Sequence, residues 1–141
     1  MTALTNFALA ISALLGPSLQ VSACDLVDLA SAETLLGASA SEISGGTDPG
    51  LCQYMDALGQ SLVSVQVTEA EYYDIMGVPE PPTDVDIGER ARYGTDEVGD
   101  LTLQFVKGEL HVSIKLSPNP DRPAPLEALE QVARTAADRI S

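Results

Sequence analysis

The segment that most constrains the fold is residues 101–116, which alternates apolar and polar side chains on both sides of a glycine. In residues 101–106 and 110–116 every second side chain falls on the same face, as it does in β-strands. Lys107 and Gly108 between them suit a tight turn. The pattern predicts an antiparallel hairpin with one buried face and one solvated face. It places His111, the only histidine, on the solvated face.

Further strands are predicted in three other parts of the chain. Residues 62–67 place valine on one face and polar side chains on the other, whereas residues 51–57 are predicted to be a short strand and residues 89–93 a weak one. Residues 69–76 are compatible with a helical turn, whereas the proline- and aspartate-rich residues 78–88 are predicted to be a loop.

Helices are predicted near both ends of the region that follows residue 23. Residues 25–37 repeat leucine and alanine at helical spacing, and Gly37 suits a left-handed C-cap, with the N-cap at either Asp28 or Ser31. Residues 126–140 carry an apolar stripe. Residues 38–50 and 117–125 are predicted to be connections. Strands flanked by helices predict an α+β fold: an antiparallel β-sheet of about four to five strands, with an N-terminal and a C-terminal helix packed on one face.

The first 23 residues contain no charged side chain. Residues 7–16 form an apolar block of the length of a signal-peptide core, too short to span a bilayer, and Val21-Ser22-Ala23 suits a signal peptidase. We therefore predict a signal peptide at residues 1–23 and a single α+β domain at residues 24–141. The protein is expected to be exported to the periplasm or cell envelope. The alternative is that the block is a buried N-terminal helix.

Cys24 and Cys52 are the only cysteines, and two interpretations remain open. An even number of cysteines in an exported chain favours one disulfide. Alternatively, Val21-Ser22-Ala23-Cys24 resembles a lipobox, in which Cys24 would carry a lipid and anchor the protein to a membrane. Lipidation would leave Cys52 unpaired in an oxidising compartment.

The formal net charge is −14, from 21 acidic and 7 basic residues. All of the charged residues follow position 23. A surface this acidic repels nucleic acid and anionic membranes. The charge serves solubility or, alternatively, attracts a partner with a basic face; we expect no nucleic-acid partner, and a membrane only if Cys24 is lipidated.

No motif in the sequence predicts catalysis or a cofactor. The chain has no nucleophile elbow, no phosphate-binding glycine loop and too few histidines or cysteines for zinc. Asp84, Asp86 and Glu89 could offer oxygen ligands to Ca²⁺, although they lack the EF-hand pattern and a solvated turn is favoured. Tyr72 and Tyr73 are expected at the edge of the core; alternatively they border a ligand pocket or a partner surface.

Several short motifs resemble a family of small exported bacterial domains whose function is uncharacterised. These motifs are C-D-L-V at residues 24–27, L-L-G at 35–37, C-x-Y at 52–54 and I-G-E-R-A-R-Y at 87–93, where Glu89 replaces the family's usual aspartate. The resemblance implies paired cysteines, a β-meander and a closing alanine-rich helix. It implies no reaction.

These observations together predict an exported, non-catalytic binding or interaction domain of the bacterial cell envelope. One alternative is an inhibitor or immunity-type protein that neutralises a basic partner. A second is a lipoprotein held at the membrane through Cys24.

Overall fold

The computed structural model describes residues 21–43, 48–119 and 125–140. These residues form a mixed α+β fold with four helices and one seven-stranded antiparallel sheet. The predicted α+β class and antiparallel sheet are confirmed, but the sheet has more strands than the four to five expected. The elements, in chain order, are α1 (Ala23–Leu26), α2 (Leu29–Leu36), β1 (Ala40–Glu42), β2 (Leu51–Asp56), β3 (Leu62–Glu69), α3 (Tyr72–Met76), β4 (Thr83–Val85), β5 (Arg90–Thr95), β6 (Leu101–Lys107), β7 (Leu110–Ser117) and α4 (Leu126–Asp138).

The sheet consists of two meanders that meet at its centre. Its strand order is β1-β2-β3-β7-β6-β5-β4, and each neighbouring pair is antiparallel. The predicted hairpin is confirmed as β6 and β7, with Gly108 in the left-handed region at φ 61°. The central contact, β3 with β7, joins strands more than forty residues apart in the chain.

One face of the sheet carries the apolar core. Val65 on β3 and Leu103 on β6 both lie opposite Ile114 on β7, and all three are fully buried. Helices α1, α2 and α4 cover this face: α1 and α2 contact β2 and β3, and α4 contacts β6. The alternation in the sequence therefore identifies the buried face of each central strand.

The predicted helix over residues 25–37 is interrupted after Leu26. Asp28 caps α2 by accepting a hydrogen bond from the Ser31 backbone N–H at 2.9 Å, and Gly37 ends the helix at φ 67°, as expected. The buried Tyr54 hydroxyl donates to the Val27 carbonyl at 2.8 Å. This bond satisfies a carbonyl that the interruption frees from the helix, so the break is held by tertiary structure.

Two segments predicted to be loops contain the edge strands. Ala40–Glu42 forms β1, and Thr83–Val85 forms β4. Each strand has three residues, and each pairs with one neighbour only. The prediction of loops at residues 38–50 and 78–88 was wrong at these positions because such short, polar strands carry no periodic signal of their own.

The disulfide predicted between Cys24 and Cys52 is present, with the two Cα atoms 5.2 Å apart. It joins α1 to β2 beside the core. Most of the predicted signal peptide, residues 1–20, lies outside the described residues. Ala23 is buried, and its backbone N–H donates to the Pro49 carbonyl at 2.8 Å. Within the described ranges, no helix is long and apolar enough to cross a membrane.

Candidate binding site

The second face of the sheet is crossed by residues 70–82, which we call the strap. The strap begins where the Ala70 N–H donates to the Glu109 carbonyl at 2.9 Å, and it includes the one-turn helix α3. It contacts β3 and β6 and covers His111 and Gln104, which are fully buried. The expectation that His111 is solvated is therefore wrong. His111 does lie on the polar face of β7, but the strap excludes water from that part of the face.

Buried polar groups beneath the strap form a continuous chain of hydrogen bonds. The His111 Nδ1 lies 2.8 Å from the Thr68 hydroxyl, and its Nε2 lies 2.8 Å from the Gln104 side-chain nitrogen. The Gln104 carbonyl oxygen in turn accepts from Arg92 Nε at 2.5 Å. Because the Gln104 amide nitrogen can only donate, His111 Nε2 accepts and Nδ1 carries the proton. The chain thus holds a neutral imidazole.

The Tyr73 ring connects this chain to the strap. Two guanidinium groups contact it, with the Cζ atoms of Arg90 and Arg92 lying 4.1 and 4.4 Å from the ring centroid. Arg92 also donates to the Tyr73 carbonyl at 3.0 Å, and Arg90 pairs with Asp74 at 2.8 Å. The Tyr73 side chain is buried, and its ring meets His111 edge-on. Cation–π contacts with the exposed Arg90 and the half-buried Arg92 therefore help hold α3 against the sheet.

Burial lowers the pKa of His111 to about 4, and the nearby positive charge of Arg92 acts in the same direction. Both ring nitrogens are already hydrogen-bonded, and the side chain has no exposed surface. Both ring nitrogens are therefore enclosed beneath the strap. The arrangement positions the strap.

Three large apolar side chains are exposed on the outer surface of α3, beside the charged Asp74. Ile75 is 70% exposed, and Tyr72 and Met76 are about 40% exposed. Of the eight large apolar side chains exposed among the described residues, three lie on this single turn. The buried Tyr73 holds the turn in place, so these side chains are presented on a fixed support.

An acidic cleft of about 470 Å³ adjoins the strap. Its walls come from the strap and from the β5–β6 connection, and they contain three carboxylates and no basic side chain. The lining residues are Pro79, Glu80, Thr95, Asp96, Glu97 and Val98. We refer to these residues as the acidic cleft. Val98 is 81% exposed at its rim.

The β5–β6 wall of this cleft has a defined shape. Asp96 accepts hydrogen bonds from the backbone N–H groups of Val98 and Asp100 at 3.0 and 2.9 Å. These bonds order the connection. Glu97 on the connection and Glu80 on the strap are exposed carboxylates. The cleft therefore combines fixed negative charge with the apolar Pro79 and Val98, which suits a cationic side chain with an aliphatic stem.

Gly94 determines how closely the strap approaches the sheet. A Cβ atom built at this position would lie 2.0 Å from the Pro79 carbonyl oxygen. We expect Gly94→Ala to displace residues 77–82 and to lower the free energy of unfolding by about 1 to 3 kcal/mol. Hydrogen exchange of the strap amides and chemical denaturation measure the two effects. Ser113→Ala, two strands away on the same face, is the control; unchanged exchange in the Gly94 variant would contradict the assignment.

The other residues singled out in the sequence are dispersed. Asp84 lies on β4, Asp86 lies in the turn before β5, and the Glu89 carboxylate accepts from the Gly108 N–H at 2.6 Å. The three do not form a compact group of metal ligands. Within the described ranges, the one group of possible metal ligands that lie close enough together is Cys24, Glu42 and Cys52. The sulfur atoms of its two cysteines already form the disulfide.

The acidic cleft was not predicted because its two walls lie fifteen residues apart in the chain. One signal in the sequence could have indicated it: a glycine inside a strand, here Gly94, often marks a close approach of another backbone segment. Comparisons of the chain with protein-family models, with curated proteins and with solved structures gave no match.

Proposed function

We propose that this protein is an exported, non-catalytic binding domain of the bacterial cell envelope whose partner is a protein with a basic surface. The observation that carries the proposal is the acidic cleft beside the exposed apolar turn α3. Apolar side chains next to carboxylates suit a partner that presents apolar groups beside lysine or arginine.

The charges of the strap strengthen this assignment. Residues 70–82 contain Glu71, Asp74 and Glu80 and no basic residue. The net charge of −14 adds a long-range field that attracts cations and speeds their association. The apolar turn would then supply the desolvated centre of the interface, where most binding energy usually resides.

The proposal predicts that removing two carboxylates weakens partner binding. We expect Glu80→Gln/Glu97→Gln to weaken binding by about tenfold or more, chiefly at low ionic strength, because exposed charges are screened over about 10 Å at 0.1 M salt. The partner is first captured from the exported fraction of the host and identified, and its affinity is then measured calorimetrically at several salt concentrations.

The matched control is Glu127→Gln/Glu130→Gln, which changes the net charge equally on α4, on the opposite side of the sheet. For the apolar part, Ile75→Ser is compared with Leu58→Ser, which alters a similarly exposed side chain in the β2–β3 turn. If a variant of the proposed surface and its control have the same affinity for the partner, the proposed surface is not the binding site.

An inhibitor or immunity-type role is a narrower form of the same proposal. It requires that the basic partner be an enzyme and that binding block its activity. The acidic cleft supports this role as well, since a lysine or arginine could be neutralised within it. Titration of the partner's activity with the wild-type protein separates the two: full inhibition at one equivalent supports the inhibitor, and unchanged activity supports a binding domain.

Export is supported by the disulfide, which is compatible with an oxidising environment outside the cytoplasm. The lipoprotein alternative needs the same sulfur atom of Cys24 that the disulfide occupies. Intact mass of the protein from its host, before and after reduction, distinguishes these states. A gain of about two daltons indicates the disulfide, and a mass raised by acyl chains indicates the lipid.

A further inference from the structure

A second cleft, of about 440 Å³, lies on the helical side of the sheet. It is bounded by α4, by the turn before β5 and by the end of β6. Its volume lies within the range of small-molecule sites. Its lining includes Asp86, Ile87, Glu89, Lys107, Arg134 and Asp138. We call this the mixed-charge cleft.

The wall formed by the turn before β5 is firmly attached to the hairpin. The Glu89 N–H donates to the Val106 carbonyl at 2.8 Å, and the Gly108 N–H donates to the Glu89 carboxylate at 2.6 Å. Gly88 adopts φ 60°, and a Cβ there would lie 2.4 Å from the Val106 carbonyl oxygen. Ile87 is buried at the base of this wall. A wall held in this way does not need to be ordered when a ligand binds.

Two cations line this cleft without a partner. Among the described residues, each of the other basic side chains is engaged: three form ion pairs, and Arg92 is hydrogen-bonded beneath the strap. The side chains of Lys107 and Arg134 form neither an ion pair nor a hydrogen bond within the part of the chain that the structure describes. Acidic residues outnumber basic ones threefold in this chain, so carboxylate partners are plentiful. That both unengaged cations line one cleft indicates a shared anionic ligand group.

The carboxylates of the cleft restrict the ligand further. The cleft contains three carboxylates, from Asp86, Glu89 and Asp138, beside its two cationic side chains. The net negative charge of the whole chain repels anions further. A simple anion would gain little net attraction here. A ligand with a carboxylate toward Lys107 and Arg134 and an ammonium group toward Asp86 or Asp138 would satisfy both sets of charges.

We propose that the mixed-charge cleft binds a small zwitterion, of the class of free amino acids and short peptides. This site is independent of the acidic cleft, because the two lie on opposite faces of the sheet. The ligand would contact Lys107 and Arg134 through its carboxylate, and the exposed Asp86 and Asp138 through its ammonium group.

The test uses glycylglycine as the probe and the full disulfide-bonded protein. Amide chemical shifts of Gly88 and Gly108 are followed by NMR as the dipeptide is added. We expect saturable shifts with a millimolar dissociation constant, and about a tenfold weaker affinity for Lys107→Gln/Arg134→Gln. Lys115→Gln, which removes a cation on the other face of β7, is the control and should leave the affinity unchanged.

Acetate and methylammonium carry one charge each and are titrated separately. The proposal requires both to bind at least about tenfold more weakly than glycylglycine. It is overturned if the dipeptide causes no saturable shift, if acetate binds as well as the dipeptide, or if Lys115→Gln weakens binding equally. Glu80→Gln/Glu97→Gln should bind glycylglycine like the wild type, so failure of the partner-binding proposal leaves this result unaffected.

Discussion

Replacing Cys24 and Cys52 together by serine is expected to lower the free energy of unfolding by about 3 to 4 kcal/mol. The disulfide joins residues 28 positions apart and so restricts a long loop of the unfolded chain. It also secures α1, whose Leu26 is buried in the core together with Val27, the residue after the helix, and the fully buried Cys52. Urea denaturation of the variant and of the wild type measures the difference.

The wild type unfolded in the presence of a reductant serves as the control for this prediction. It should match the double serine variant, because both lack the covalent bond and retain similar side chains. Hydrogen exchange should also show that α1 opens more readily than α4 in both. A loss below about 1 kcal/mol would show that the unfolded chain gains little freedom when the bond is absent.

The second large effect concerns pH. Because the pKa of His111 falls from 6.5 to about 4 on folding, the unfolded chain binds a proton that the folded protein excludes. The contribution of the neutral His111 to the free energy of unfolding is therefore complete above pH 6.5, and it decreases as the pH falls from 6.5 to 4. Its full size is about 3 kcal/mol at most, since each pKa unit corresponds to 1.36 kcal/mol.

The measurement compares His111→Gln with the wild type, by denaturation at intervals between pH 4 and pH 7. The glutamine removes the titrating group, so the wild-type protein should lose more stability across this window than the variant. Parallel curves would show that His111 does not govern the acid response. Protonation of the many carboxylates affects both proteins equally and cancels in the difference.

Two aspartates respond in a different range. Hydrogen bonds, first that from the Ser31 backbone N–H, hold the pKa of Asp28 below its usual value. Burial acts to raise the pKa of Asp56, but the N–H groups of Gln60 and Ser61 outweigh it and lower the pKa. A carboxylate with a lowered pKa loses its stabilising effect only as the pH falls below about 4. The stability that these two carboxylates contribute therefore starts to be lost at about the pH where the loss due to His111 is complete.

The central strands were predictable because their signals are local. Apolar side chains recur at every second position in residues 62–67, 101–106 and 110–116, and this spacing identifies the side chains that share a face. The turn at Gly108 joins the second and third of these strands. The helix at residues 126–140 was found from its own periodicity, and Gly37 from the left-handed conformation that it adopts. The cysteine pair was found from the even count in a chain expected to be exported.

The edge strands and the break between α1 and α2 depend on contacts with distant parts of the chain, which a local sequence pattern does not predict. The edge strands β1 and β4 exist because β2 and β5 provide hydrogen-bonding partners, and neither has an apolar pattern of its own. The break between α1 and α2 depends on the Tyr54 hydroxyl, which comes from a strand 27 residues away.

The sequence by itself determined which face of each central strand meets the core, because alternation along a strand is a property of the backbone. Only the tertiary structure decided what happens on the other face. There the strap buries His111 and brings Pro79 and Glu80 beside residues 95–98. The strap can approach the sheet this closely because Gly94 has no side chain. The physical reason is that a polar side chain on a strand can be solvated by water or covered by a segment that hydrogen-bonds to it. For His111 the outcome depends on the strap, which ends 29 residues earlier in the chain.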